Sequence, residues 1–83
     1  MSEPFDVPIK DDMIRLGQFL KLANLVESGA EAKPAVAAGR VRVNGEVETR
    51  RGRQLGTGDV VDLDGGAAAR VVDEAGFDDG LPW

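Results

Sequence analysis

Residues 39–48 read Gly-Arg-Val-Arg-Val-Asn-Gly-Glu-Val-Glu, a pattern typical of a β-hairpin. Valine and arginine alternate along the first arm, which indicates a strand with one apolar face and one charged face. Asn44-Gly45 follows, and this pair is strongly favoured in tight turns between two strands. The stretch therefore predicts a two-stranded hairpin that presents Arg40 and Arg42 on the face opposite the valines.

The length of the hairpin loop sets which residues face each other. A two-residue loop would place Val43 opposite Glu46 and Arg42 opposite Val47, which mixes apolar and charged residues on each face. A three-residue loop would pair Val43 with Val47 and Arg42 with Glu48, so that the valines stay together. We predict the longer loop.

Two helices are predicted before the hairpin. The first covers residues 15–24, in which apolar side chains recur at helical spacing: Leu16, Phe19, Leu20 and Ala23. The second starts at Ser28 and runs to about Ala38, because Ser28 and Glu31 have the spacing of a capping box and Gly39 suits a left-handed C-terminal cap. Pro34 lies inside this helix and lacks an amide donor, so we predict a kink or a 3₁₀ turn there.

Short strands account for the remaining ordered sequence. Phe5, Val7 and Ile9 alternate with other residues, and Pro8 assigns this strand to a sheet edge. Residues 56–59 form a turn, and strands follow at 60–63 and 70–72. We therefore predict an α+β fold, two short helices packed on a small, mostly antiparallel sheet. The domain would cover residues 15–72, between an acidic N-terminal segment (1–14) and an acidic, flexible C-terminal tail (73–83).

Composition excludes several functional classes. The 83 residues carry a net charge of −5 and include no cysteine and no histidine, which removes disulfides, thiolate nucleophiles, cysteine-based metal sites and the commonest general base. No motif indicates a phosphate loop, a calcium loop or a catalytic carboxylate pair. We therefore predict a protein that is not an enzyme and has no metal, cofactor or small-molecule substrate. With no membrane-spanning run and no secretory signal, we expect a cytoplasmic monomer that does not contact membranes.

The charge is unevenly distributed along the chain. Residues 1–14 contain one cation and four acids, residues 15–58 contain eight cations and four acids, and residues 59–83 contain one cation and seven acids. Arginine is well suited to bind phosphate, because its planar fork donates two hydrogen bonds and stays charged. Six basic residues of the central region are the candidate nucleic-acid contacts: Lys33, Arg40, Arg42, Arg50, Arg51 and Arg53. A solvated surface whose charge is offset by Glu46 and Glu48 is the alternative.

Four segments in this order resemble one known family. They are Arg15-Leu16-Gly17-Gln18-Phe19-Leu20-Lys21, residues 28–33, residues 39–45, and Gly58-Asp59-Val60-Val61. The chain resembles the RNA-binding domain of the ribosomal protein S4 type, also called the alpha-L RNA-binding motif, and is most similar to its small stand-alone bacterial members. The resemblance implies the same fold and an RNA surface built from the second helix, the next strand and its loop. It adds Lys21 and Arg15 to the candidate contacts, whereas Gly29 stands where many members carry arginine.

The resulting hypothesis is a non-catalytic protein that binds structured RNA, such as ribosomal RNA or tRNA-like stems, with the ribosome as an expected partner. The alternative is a protein–protein adaptor or regulatory module with weak or lost RNA affinity. A further hypothesis is that the C-terminal tail folds back on the arginine cluster and competes with RNA.

Overall fold

The computed structural model describes residues 4–73. Seven strands and two helices follow one another in this part of the chain: β1 (Phe5–Ile9), β2 (Met13–Arg15), α1 (Leu16–Leu22), α2 (Gly29–Ala37), β3 (Val41–Val43), β4 (Glu46–Val47), β5 (Gln54–Gly56), β6 (Val60–Leu63) and β7 (Ala68–Asp73). The α+β prediction is confirmed. Of the predicted tail, residues 73–83, only Asp73 is described, as the last residue of β7; the tail hypotheses otherwise concern residues outside the described part of the chain. No helix within residues 4–73 has the length and apolar character needed to cross a membrane.

The main sheet has five strands in the order β1-β7-β6-β3-β4. Its pairs are antiparallel except for β1 and β7, which run parallel. β1 forms one edge, where Pro8 can be accommodated because an edge strand needs fewer amide donors. The sheet is therefore mixed but mostly antiparallel.

The helices cover one face of this sheet with small and medium apolar side chains. Leu16, Phe19 and Leu20 of α1 are fully buried, and Ala32, Ala35 and Val36 of α2 are about 1% exposed. From the sheet, Val41, Val43, Val61, Ala69 and Val71 complete this core. The helical spacing seen in the sequence thus describes the buried faces correctly, and the small residues of α2 permit close packing on α1.

The predicted three-residue hairpin loop is wrong. Val43 pairs with Glu46 and Arg42 pairs with Val47, and the turn residues Asn44 and Gly45 have φ of 54° and 86°, as a two-residue type I′ turn requires. The preference of Asn44-Gly45 for a two-residue turn decides the register, and the valines are not kept together. This is possible because β4 is an edge strand of two residues and does not need a buried apolar face.

This register places Val47 in solvent and buries Glu48. Val47 is 57% exposed, whereas Glu48 is only 6% exposed, and the Glu48 amide donates to the Val41 carbonyl (3.0 Å). The hairpin therefore places the Glu48 carboxylate on the buried side of the sheet. A buried carboxylate is costly unless cations or hydrogen-bond donors contact it.

The second helix differs from the prediction at its start, and at Pro34 it lacks the 3₁₀ turn, which was one of the two predicted alternatives. Ser28 is the N-cap residue but its hydroxyl makes no capping bond. The Glu31 carboxylate instead accepts from the Glu27 amide (3.3 Å), one residue before the position that a capping box requires. α2 continues as an α-helix through Pro34, without the predicted 3₁₀ turn. It ends as predicted, with φ of 75° at Gly39.

A second, two-stranded sheet was not predicted. β2 pairs antiparallel with β5, so that Ile14 faces Leu55, and Leu55 is fully buried. β2 and β5 have three residues each and lie far apart in the chain, so no turn signal indicates that they pair. This small sheet fixes the start of α1 beside the segment that precedes β5.

Candidate nucleic-acid interface

The structure divides the eight predicted contact residues into paired and unpaired cations. Arg40, Arg50 and Arg53 form ion pairs with carboxylates. The other five have no ion pair with any residue in 4–73: Arg15, Lys21, Lys33, Arg42 and Arg51. The side chains of these five are exposed. A phosphate can therefore approach these five cations with no bound carboxylate beside them.

Three of the five unpaired cations line one groove. Arg15 and Lys21 reach it from the two ends of α1, and Arg51 reaches it from the loop before β5. The groove has a volume of about 350 Å³, and its other lining residues are Gly17, Gln18, Gly29, Ala32 and Gly52. We call it the basic groove.

Two glycines leave the backbone of the basic groove accessible. A Cβ atom added at Gly29 or at Gly52 would meet nothing within 4 Å. Gly29 is the first residue of α2, so its backbone lies where amide groups lack helical partners. Gly29 therefore borders the same groove as Arg51.

Residues 50–53, which we call the arginine loop, are held by the buried carboxylate of Glu48. One oxygen of Glu48 accepts from the backbone amide and from Nε of Arg50, both at 3.0 Å. The other oxygen accepts from Nη1 of Arg53 at 3.0 Å. The hydrogen bonds from Arg50, followed by those from Arg53, lower the pKa of Glu48 to about 2.

The arginine loop is also bonded to the start of α1. The Arg51 and Arg53 carbonyls accept from the amides of Gly17 (3.0 Å) and Leu16 (2.8 Å), which satisfies two amides that have no partner within the helix. The Arg51 side chain crosses directly over Gly17, because a Cβ at Gly17 would lie 2.7 Å from Cγ of Arg51. The loop, α1 and the basic groove are thus parts of one packed unit.

Arg40 and Arg42 lie apart from this unit, next to acidic residues of the sheet. The Arg40 guanidinium donates to both oxygens of Asp64, with Nη2 to Oδ2 at 2.7 Å, and this bonding lowers the pKa of Asp64 and raises that of Arg40. Arg42 is exposed and stands opposite Asp62 on β6. These carboxylates make the sheet surface less favourable for phosphate than the basic groove.

Sequence reasoning missed Gly17, Gly52 and Glu48 as parts of the site. Gly17 and Gly52 are recognisable only once Arg51 is seen beside them. Glu48 had a usable signal: an Asn-Gly turn of two residues places it opposite Val41, on the buried face.

Comparison with known proteins agrees with this architecture. The family model for the S4 domain matches residues 7–72. The chain belongs to the S4-domain family. That assignment confirms the resemblance drawn from the four sequence segments.

Two curated S4-domain relatives are similar over most of their length. One is "Probable ribosome maturation protein RlbA" of Bacillus subtilis, 46% identical over 72 residues that span 87% of this chain and 99% of RlbA. The other is "Putative RNA-binding protein YbcJ" of Escherichia coli strain K12, 43% identical over 56 residues, covering 68% of this chain and 80% of YbcJ. Neither name denotes an enzyme, in agreement with the prediction that this chain is not one.

Solved structures place the S4-domain chain in the alpha-L fold. The solution structure of E. coli YbcJ, described as revealing an alpha-L motif involved in RNA binding, superposes with a TM-score of 0.64 at 38% identity and covers 87% of this chain and 91% of YbcJ. Ribosomal protein S4e of Thermoplasma acidophilum gives a TM-score of 0.53 at 27% identity, over 68% of this chain and 30% of S4e.

Proposed function

We propose that this S4-domain protein is a non-catalytic RNA-binding protein that recognises folded RNA through the basic groove and the arginine loop. The observation that supports it best is that Arg15, Lys21 and Arg51 line one groove without an ion pair among residues 4–73. Exposed, unpaired cations around an accessible backbone are suited to the phosphates of RNA. The relatives named for RNA binding and ribosome maturation support the same function.

The structure favours recognition of backbone and shape over stacking on bases. Among the described residues the aromatic side chains are Phe5, which is 46% exposed on β1 but does not line the groove, and Phe19, which is fully buried. Proteins that bind single strands usually stack bases on exposed aromatic rings. Folded RNA, with regularly placed phosphates and 2′-hydroxyl groups, is therefore the proposed partner class.

The eight cations are proposed to contribute unequally. Arg15, Lys21 and Arg51 would contact phosphates directly in the groove, and Lys33, four residues after Gly29 on α2, would extend the contact along that helix. Arg50 and Arg53 would contribute from the edge of the loop while bound to Glu48. Arg40 and Arg42 would contribute least, because Asp64 and Asp62 compete with phosphate for them. We further propose ribosomal RNA as the partner, because RlbA is named for ribosome maturation. We also propose that the protein acts as a cytoplasmic monomer.

A gel-shift titration with folded ribosomal RNA tests the proposal. The wild-type protein is expected to shift the RNA at low salt, and a duplex DNA competitor is expected to displace it less well than unlabelled RNA. If no RNA is bound at low salt while a nuclease-treated pull-down retains a protein partner, the protein–protein adaptor is the correct function.

A further inference from the structure

The arginine loop is hydrogen-bonded to the rest of the protein on two sides. The Glu48 carboxylate binds it from the core side through Arg50 and Arg53, and the first amides of α1 bind its carbonyls from the other side. We propose that Glu48 and Gly17 are positioning residues, which hold the loop in its RNA-binding geometry before RNA arrives. This inference rests on the proposed function and specifies how the site is prepared.

Glu48 orients Arg50 without using up its hydrogen-bond donors. A guanidinium has five N–H groups, and Arg50 directs one from Nε and one from Nη2 at Glu48. The remaining N–H groups belong to a side chain that is 77% exposed. A carboxylate that is 8% exposed thus fixes one edge of Arg50, and the opposite edge faces solvent, where a phosphate can accept from it.

Gly17 performs the corresponding task for Arg51. Because Gly17 has no side chain, the stem of Arg51 can cross α1 at this point and extend into the basic groove. A Cβ atom at position 17 would lie only 2.7 Å from Cγ of Arg51. This distance is too short, so the Arg51 side chain would have to move. The backbone at Gly17 is helical, so a left-handed conformation does not account for the glycine.

Holding both side chains in advance lowers the entropy lost when RNA binds. Immobilising one long side chain in an interface costs roughly 0.5–1.5 kcal/mol, equivalent to about two- to twelvefold in affinity. If Glu48 orients Arg50, its removal weakens RNA binding even though the protein becomes less negative. Charge alone predicts the opposite result, because one fewer acid beside the cations strengthens attraction to RNA.

The test compares Glu48→Gln with Glu46→Gln by filter binding to folded ribosomal RNA. Both variants remove one negative charge from the same hairpin, but Glu46 is exposed and makes no ion pair with residues 4–73. We expect E48Q to bind about three- to tenfold more weakly than wild type, and E46Q to bind equally or more tightly. The E48Q effect should become smaller in an Arg50→Ala background, because part of the action of Glu48 passes through Arg50 and the rest through Arg53.

Gly17→Ala provides a second variant that keeps the charge and the Glu48 pairs. Alanine favours the helix, so we expect an unchanged or higher urea midpoint together with weaker RNA binding, a combination that a purely structural role would not produce. If E48Q does not fold, G17A decides the question. Wild-type affinity in G17A, or E48Q binding as tightly as E46Q, overturns the inference. Failure of the wild-type protein to bind RNA overturns the proposed function itself.

Discussion

Removing two cations from the basic groove should damage RNA binding far more than removing two cations elsewhere. Lys21→Ala/Arg51→Ala takes away two of the three groove cations. Each phosphate contact contributes about 0.7–0.9 to the slope of log K against log salt. Two lost contacts therefore reduce the magnitude of that slope by about 1.4–1.8, and if the ionic contribution vanishes near 1 M salt, affinity at 0.1 M falls about 25- to 60-fold.

The matched control is Lys10→Ala/Arg70→Ala, which changes the net charge by the same amount. Neither residue lines the groove, and Arg70 is paired with Asp6 at 3.2 Å. Fluorescence anisotropy with a labelled, folded ribosomal RNA fragment, repeated at several salt concentrations, gives both slopes. The control should lose less than about threefold, as expected for a change in long-range attraction alone. Equal losses in the two double variants would show that net charge, and not the groove, determines affinity.

Three further predictions concern the groove, the buried carboxylate and the hairpin turn. Gly29→Arg adds a cation where space is open, so RNA affinity at 0.1 M salt should rise about five- to eightfold in the same anisotropy assay; an unchanged affinity would mean that phosphate does not reach this end of the groove. Glu48 has its pKa lowered from 4.5 to about 2 by folding, so its stabilising effect is complete above about pH 4.5 and is lost as the pH falls towards 2; the urea midpoint of wild type should fall more steeply across this interval than that of Glu48→Gln, and parallel curves would contradict the assignment. Gly45→Ala forces a left-handed φ of 86° on alanine and should lower the free energy of unfolding by about 1–2 kcal/mol, whereas Gly66→Ala, which has ordinary contacts, should change it by less than about 0.5 kcal/mol in the same urea titration.

Sequence patterning predicts most of the elements because each has enough length or a strong turn signal. The stripe of Leu16, Phe19 and Leu20 identifies α1 and its buried face, and the left-handed position at Gly39 marks the end of α2. The β2–β5 pair escapes prediction because its strands have three residues each and no turn joins one directly to the other. Local pattern therefore determines the main sheet and helices, while short pairings depend on contacts between distant segments.

The hairpin register shows where pattern reasoning fails. Keeping valines together assumes that Val47 is buried, yet it lies on an edge strand and is 57% exposed. The Asn44-Gly45 turn sets the register, so that Glu48 is buried and Val47 is not. The charge of Glu48 is balanced by Arg50 and Arg53. A favourable turn and two ion pairs outweigh the burial of one valine.

Sequence reasoning finds the cations of the candidate site but not their pairing. All eight predicted residues belong to the central region of the chain, but Asp64 pairs with Arg40 from 24 residues away. No periodicity in the sequence indicates that contact. The distinction between the open basic groove and the sheet surface, where carboxylates lie beside Arg40 and Arg42, therefore depends on the tertiary structure.

The salt dependence of RNA binding by the wild-type protein tests the central claim most directly. A chain with a net charge of −5 should still bind folded ribosomal RNA, because three unpaired cations line one groove. If the three groove cations and Lys33 on α2 each contact one phosphate, a filter-binding series should give a slope of about −2.8 to −3.6 in log K against log salt. A slope shallower than about −1, or no binding at low salt, would contradict the account.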